Sequence, residues 1–170
     1  MSGSRVAITG VGVVDGHTSG LTSRLLDETE ARRLSRICQF TVAAGRLALG
    51  EAGLDPRGDL ALLVGTEFGD MVSTIAFVDG YLRGGPVGVS PLLFPHTVMN
   101  TMAATTAIAV SAKDLSLTLN AWTVAGELAI ARGATSPGEG PRARRTRRPR
   151  RGTCPDGRGR TGGRAPGRGA

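Results

Sequence analysis

The segment 115–133, LSLTLNAWTVAGELAIARG, has the residue order of a strand, a tight turn and a helix rich in small residues. In a nucleophile elbow this arrangement presents the turn residue above a helix N-terminus, where negative charge is stabilised. An ordinary connection between a strand and a helix has the same spacing. The pattern therefore predicts either a site of nucleophilic chemistry or a plain α/β connection.

Histidine and cysteine, the residues most often used in acid-base, nucleophilic and metal chemistry, are scarce in this chain. The cysteines are Cys38 and Cys154, and the histidines are His17 and His96. Neither histidine has a Cys, Asp or Glu at ligand spacing, so both are predicted to be loop or surface residues. Cys38 falls on the apolar stripe of a predicted helix and is expected to be a small core residue. The sequence predicts no metal site and no cofactor.

A second motif, Gly10-Val11-Gly12, resembles the start of a dinucleotide-binding fingerprint. The third glycine of that fingerprint is missing, and no helix clearly opens after it to hold a pyrophosphate. Close packing of a strand explains these glycines better.

The elements that would position these residues alternate along the chain. A Gly-Gly-Pro sequence at 84–86 and prolines at 91 and 95 interrupt the pattern. Asp27 and Glu30 have the spacing of a capping box, and Gly53 is a helix stop signal. The order of elements favours an α/β layered sheet. Strands are predicted at 6–14, 60–64 and 115–119, and helices at 34–52, 70–82, 97–110 and 124–132.

Charge divides the 170 residues into two regions. Residues 1–134 carry a net charge of −2, whereas residues 135–170 carry +9 and contain no Val, Ile, Leu, Met, Phe, Tyr or Trp. A basic globular domain is thereby excluded, and 135–170 are predicted to form a disordered tail. No apolar run approaches the roughly 18 residues of a membrane span, and no signal peptide is predicted. We expect a cytoplasmic location.

Five blocks in the first region resemble the N-terminal half of β-ketoacyl synthases, the condensing enzymes of fatty acid and polyketide synthesis. Their order and spacing carry the resemblance, which implies a thiolase-like half-fold that is incomplete without a C-terminal half. The blocks are VAITGVGVV (6–14), RLSRICQFTVAAGRLALGEAGLD (33–55), LALLVGTEFGDM (60–71), GPVGVSPLLFPHTVMNTMAAT (85–105) and LSLTLNAWTVAGELAIARG (115–133).

The resemblance also implies where the reactive residue would stand. In the family the elbow reads approximately Thr-Ala-Cys-Ala-Ser-Gly, and its Cys takes the acyl chain from acyl carrier protein. Alignment on Leu117-Thr118 and Gly126 places Thr123 at that nucleophile position, beside the bulky Trp122. A threonine hydroxyl does not ionise near neutral pH, so Thr123 is predicted to be incompetent. The family's two catalytic histidines have no match in His17 or His96.

The resemblance implies a relative of the β-ketoacyl synthases, whose reaction is a decarboxylative Claisen condensation. This chain is predicted to be inactive on its own. By resemblance its partners are acyl carrier protein and a second synthase-like subunit, and residues 115–119 would pair with a second copy in a homodimer. One alternative is a non-catalytic partner subunit of an active synthase. Another is nonspecific nucleic-acid binding through the Arg-rich tail. A frameshifted or truncated gene would also explain the abrupt change after residue 134.

Overall fold

The computed structural model describes residues 6–17, 20, 24–55 and 60–135 of the chain. The tail predicted at 135–170 lies outside the described residues except for Thr135. The predicted disorder of this tail and its predicted nucleic-acid binding therefore concern residues that the structure does not describe. The helices are α1 (Glu28–Arg33), α2 (Arg36–Ala52), α3 (Met71–Gly84), α4 (Thr101–Ala109) and α5 (Ala125–Thr135); the strands are β1 (Leu62–Thr66) and β2 (Ser116–Asn120); and short 3-10 turns lie at Gly85–Val87, Phe94–His96 and Trp122–Val124.

The helix ends that the sequence predicts from local signals are confirmed. The carboxylate of Asp27 accepts a hydrogen bond from the Glu30 amide at 2.7 Å and caps α1. Gly53 ends α2 in the left-handed conformation, with φ of 63°. Both features depend only on neighbouring residues, which is why short sequence patterns predict them.

The sheet consists of β1 and β2, which pair in parallel with Leu63 opposite Leu117. Strand β1 begins two residues later than the strand predicted at 60–64. Strand β2 begins one residue later than the strand predicted at 115–119. Helix α5 packs against β1, and α4 contacts both strands while packing on α2. The alternation of elements is therefore the predicted α/β one, built on a two-stranded sheet in the described part of the chain.

The prediction of a buried strand at 6–14 is wrong. The segment is extended but joins no sheet among the described residues, and Ile8 and Val13 are 77% and 75% exposed. Gly10 and Gly12 instead lie against the backbone of α2, where an added Cβ would meet the Ala48 carbonyl oxygen at 2.2 Å and the Ala44 carbonyl oxygen at 2.1 Å. The glycines thus serve close packing, as expected, but against a helix.

The helix predicted at 97–110 is shorter than expected, since it covers Thr101–Ala109, but it is buried on most sides, as predicted. Thr101, Met102 and Thr106 are buried, whereas Ile108 on the same helix is 80% exposed. Only Ala104 and Ile108 are exposed on α4, because the helix packs on α2 and also contacts both strands.

The core is small and centres on α2. Leu26, Val42 and Ala43 form its buried cluster, and Val14 and Ala109 pack against it. No helix in the described residues is long and apolar enough to cross a membrane.

Candidate functional site

The predicted elbow is present as a strand, a turn and a helix. Strand β2 ends at Asn120, the 3-10 turn covers Trp122–Val124, and α5 begins at Ala125. The side-chain amide of Asn120 donates to the Glu67 carbonyl at 2.7 Å, which fixes the end of β2 to the segment that follows β1. The turn is therefore held at the carboxyl edge of the parallel sheet.

The start of α5 is held by a close contact with β1. Ala125 is buried, and a Cβ added to Gly65 of β1 would lie 2.1 Å from the Ala125 carbonyl oxygen. Only glycine at position 65 allows the strand and the helix N-terminus to approach so closely.

The backbone of the turn is strained at Trp122, whose φ is 48°. This left-handed conformation is unfavourable for a bulky side chain. The indole of Trp122 is 76% exposed. Such strain is common at functional turns. Thr123, the predicted nucleophile position, is the next residue and is also exposed.

A second group of reactive side chains lies away from the predicted site residues in sequence. Cys38 of α2, Asp70 before α3 and His96 of the Phe94–His96 turn have potential ligand atoms that all lie within 4.8 Å of one another. His96 lies in a short turn, as predicted for a loop residue, but the fold places beside it two potential ligand residues that are distant in sequence. Cys38 is fully buried, as predicted.

Asp70 is the anchor of this group. Its Oδ1 accepts from the Ser73 amide at 3.1 Å, and its Oδ2 accepts from the Ser73 hydroxyl at 2.8 Å. Burial alone would raise the pKa of Asp70. The nearby Ser35 hydroxyl, the bonds from Ser73 and the charge of His96 outweigh burial, so the pKa of Asp70 is lowered. The Ser35 hydroxyl lies beside the carboxylate without the geometry of an ordinary hydrogen bond.

Sequence reasoning missed this group because its members are brought together only by the tertiary fold. Asp70 did carry a local signal, since Ser73 follows it at the spacing of an N-cap. That signal predicts a helix start and gives no information about Cys38 or His96. His17, in contrast, is exposed, and its backbone amide donates to the Asp15 carboxylate at 3.0 Å.

Comparison with solved structures identifies the fold. A crystal structure of a β-ketoacyl synthase from Burkholderia phymatum superimposes with a TM-score of 0.52 and 19% sequence identity, covering 61% of this chain and 27% of that chain. The mixed helix and sheet arrangement of the described residues thus matches part of the fold of that synthase, in agreement with the predicted thiolase-like architecture.

Sequence comparison points to the same class of protein. The chain is 30% identical to the 3-oxoacyl-[acyl-carrier-protein] synthase 2 of Synechocystis sp. over 95 residues, which are 54% of this chain. It is 26% identical to the synthase of the same name from Vibrio cholerae over 87 residues. No family model matches. The predicted resemblance to β-ketoacyl synthases is confirmed over about half of the chain.

The matched region is a part of each relative. The aligned residues span 23% of the Synechocystis enzyme and 21% of the Vibrio enzyme, so the chain spans less than a quarter of the length of the curated relatives. This partial coverage fits the predicted correspondence to the N-terminal half of a synthase.

Proposed function

We propose that this chain is a β-ketoacyl synthase relative of fatty acid or polyketide synthesis that does not catalyse condensation by itself. The observation that carries the proposal is the turn between β2 and α5. A synthase accepts its acyl chain on a cysteine at such a turn, and residues 121–126 contain no cysteine. The strand, turn and helix are therefore present, whereas a cysteine to accept the acyl chain is not.

The chemistry of the turn supports this reading. A thiol at a helix N-terminus becomes a thiolate near neutral pH, whereas the hydroxyl of Thr123 requires a general base. Of the two histidines, His96 lies with Cys38 and Asp70, and His17 is exposed in the segment before α1. Neither matches the family's catalytic histidines in sequence, so neither is assigned as the base.

Two residues of the turn compete for the nucleophile position. The spacing from Leu117 and Gly126 assigns it to Thr123, while the strained backbone is at Trp122. Neither side chain supplies a thiolate, so inactivity holds for both assignments. Cysteine placed at each position in turn would identify which one the elbow presents.

Without a nucleophile of its own, this chain would take part in condensation only beside an active enzyme. We propose that its partner is a second synthase-like subunit. Acyl carrier protein would donate the acyl chain. The apolar residues exposed along α3 support association with another protein surface. Val72, Ile75 and Leu82 are 79%, 60% and 76% exposed. Apolar patches of this kind mark sites of protein contact.

The test compares the protein with Thr123→Cys and Trp122→Cys variants, each incubated with acyl and malonyl carrier proteins. Ser111→Cys is the matched control, because Ser111 is exposed and also has positive φ, at 54°, but lies outside the elbow. We expect no acylation of the original protein and acylation of one elbow variant only. Carbon dioxide release with a lengthened product from the unaltered chain alone would overturn the proposal.

A further inference from the structure

We propose that Cys38, Asp70 and His96 form a binding site for a transition-metal ion, with zinc as the preferred ion. The inference is independent of the synthase function proposed above. The three side chains come from separate elements, and their ligand atoms lie within 4.8 Å of one another. Tetrahedral zinc holds its ligand atoms about 3.5 Å apart, so a modest contraction would complete the coordination geometry.

The histidine provides the strongest support for a missing ligand. Nδ1 of His96 is buried and has no hydrogen-bond partner. A buried nitrogen without a partner carries a free-energy cost, and such atoms are uncommon in folded proteins. A metal ion bound at this imidazole would remove that cost. A merely structural polar cluster would be expected to satisfy the nitrogen with a donor or acceptor of its own.

The other two side chains are prepared for coordination. Cys38 is a free, fully buried thiol. Asp70 is 6% exposed, and each carboxylate oxygen accepts one hydrogen bond from Ser73. Each oxygen retains a further lone pair, and the bonds from Ser73 fix the carboxylate in place as outer partners of metal ligands do.

The donor set selects the kind of metal. A thiolate with an imidazole suits zinc and other transition metals, whereas magnesium and calcium prefer oxygen ligands. Three protein ligands would leave a fourth position for water. A nucleophilic triad is the competing use of Cys, His and Asp, but the thiol of Cys38 is 0% exposed and out of reach of a substrate.

An ion could reach the site through a neighbouring cavity of about 570 Å³, which Ser35, Gly69, Asp70 and Ser73 help to line. Arg36 also lines this cavity, and its guanidinium carbon lies 5.3 Å from the ring centre of Phe40. The cavity would supply the water for the fourth position.

The test uses the full chain with Cys154→Ser, so that Cys38 is the remaining thiol. The metal-free protein is titrated with zinc against a chromogenic chelator, and with cobalt while thiolate-to-cobalt absorption is followed. We expect one ion per chain and a cobalt band that disappears in Cys38→Ser. His96→Gln and Asp70→Asn should weaken zinc by more than the about 10- to 100-fold typical of losing an outer partner.

The controls are His17→Gln and Asp79→Asn, which change the same residue types outside the group and should leave zinc affinity unchanged. Circular dichroism verifies that each variant is folded. Should Cys38→Ser, His96→Gln or Asp70→Asn unfold, zinc must still raise the unfolding temperature of the Cys154→Ser protein. Absence of stoichiometric zinc binding by folded protein would overturn the proposal, as would a cobalt band that survives Cys38→Ser or equal weakening by His17→Gln.

Discussion

Arg46 and Glu30 form a two-pronged ion pair in which Nη1 donates to Oε2 and Nη2 donates to Oε1, both at 2.8 Å. The same guanidinium donates to the carbonyl oxygens of Leu25 and Ala109. One side chain of α2 thereby joins α1, the residue at the end of α4 and the segment before α1. Both partners of the pair are partly buried, at 29% and 23% side-chain exposure.

Replacing Arg46 with lysine should destabilise the protein by about 1 to 3 kcal/mol, because an ammonium group does not reproduce the paired hydrogen bonds. Arg32→Lys is the matched control, since Arg32 pairs with Glu28 across an exposed turn of α1. That change should cost less than about 0.5 kcal/mol. Urea unfolding of the two variants measures the difference, and equal losses would show that Arg46 does not tie the helices together.

Gly12→Ala should destabilise the protein by about 1 to 3 kcal/mol, because the new methyl group would overlap the Ala44 carbonyl oxygen of α2. Gly50→Ala is the control within the same helix, where an added Cβ meets nothing within 4 Å. That variant should gain about 0.5 to 1 kcal/mol from improved helix propensity. Thermal unfolding compares them, and a neutral Gly12→Ala would mean that the 6–14 segment does not pack on α2.

Trp122→Gly should stabilise the chain by about 1 kcal/mol, because glycine adopts a φ of 48° without the clash that an L side chain suffers. Ser111→Gly, at φ of 54°, tests the same effect outside the elbow. A stability gain at Ser111 combined with a loss at Trp122 would show that the indole makes contacts worth more than its strain. Chemical denaturation is the measurement.

The apolar face of α3 should drive self-association, with dimers or larger species at micromolar concentration. Changing Val72, Ile75 or Leu82 to lysine should shift light scattering toward the monomer, since each is more than half exposed and contributes little to the core. Thr29→Lys adds the same charge at an exposed position of α1, away from this face. A monomeric unaltered protein, or an equal effect of Thr29→Lys, would contradict this assignment of the face.

The sequence predicts best those features that adjacent residues determine. Asp27 and Gly53 mark helix ends through their own hydrogen bonds and backbone angles, and the elbow is a continuous strand, turn and helix. The prediction of a buried strand at 6–14 fails because an apolar run with glycines is compatible with two structures. It can form a buried strand, or it can form an extended segment that lies on a helix. Its neighbour is chosen by tertiary packing, which periodicity does not encode.

The candidate metal group shows the same limit more sharply. Cys38 looks like a core residue on its helix, Asp70 like a helix cap, and His96 like a loop residue between prolines and polar groups. Each of these local interpretations accounts for its residue in isolation. Only the packing of α2 near the start of α3 and the Phe94–His96 turn brings the thiol, the carboxylate and the imidazole together.

Trp122 is also the only tryptophan of the chain. Its fluorescence therefore originates from the elbow alone, and an indole that is 76% exposed emits as a water-surrounded chromophore. Any protein that covers the elbow would shift this emission to shorter wavelength and protect it from a soluble quencher. The tryptophan fluorescence of the unlabelled, unaltered protein therefore reports whether another protein is bound at the strained turn.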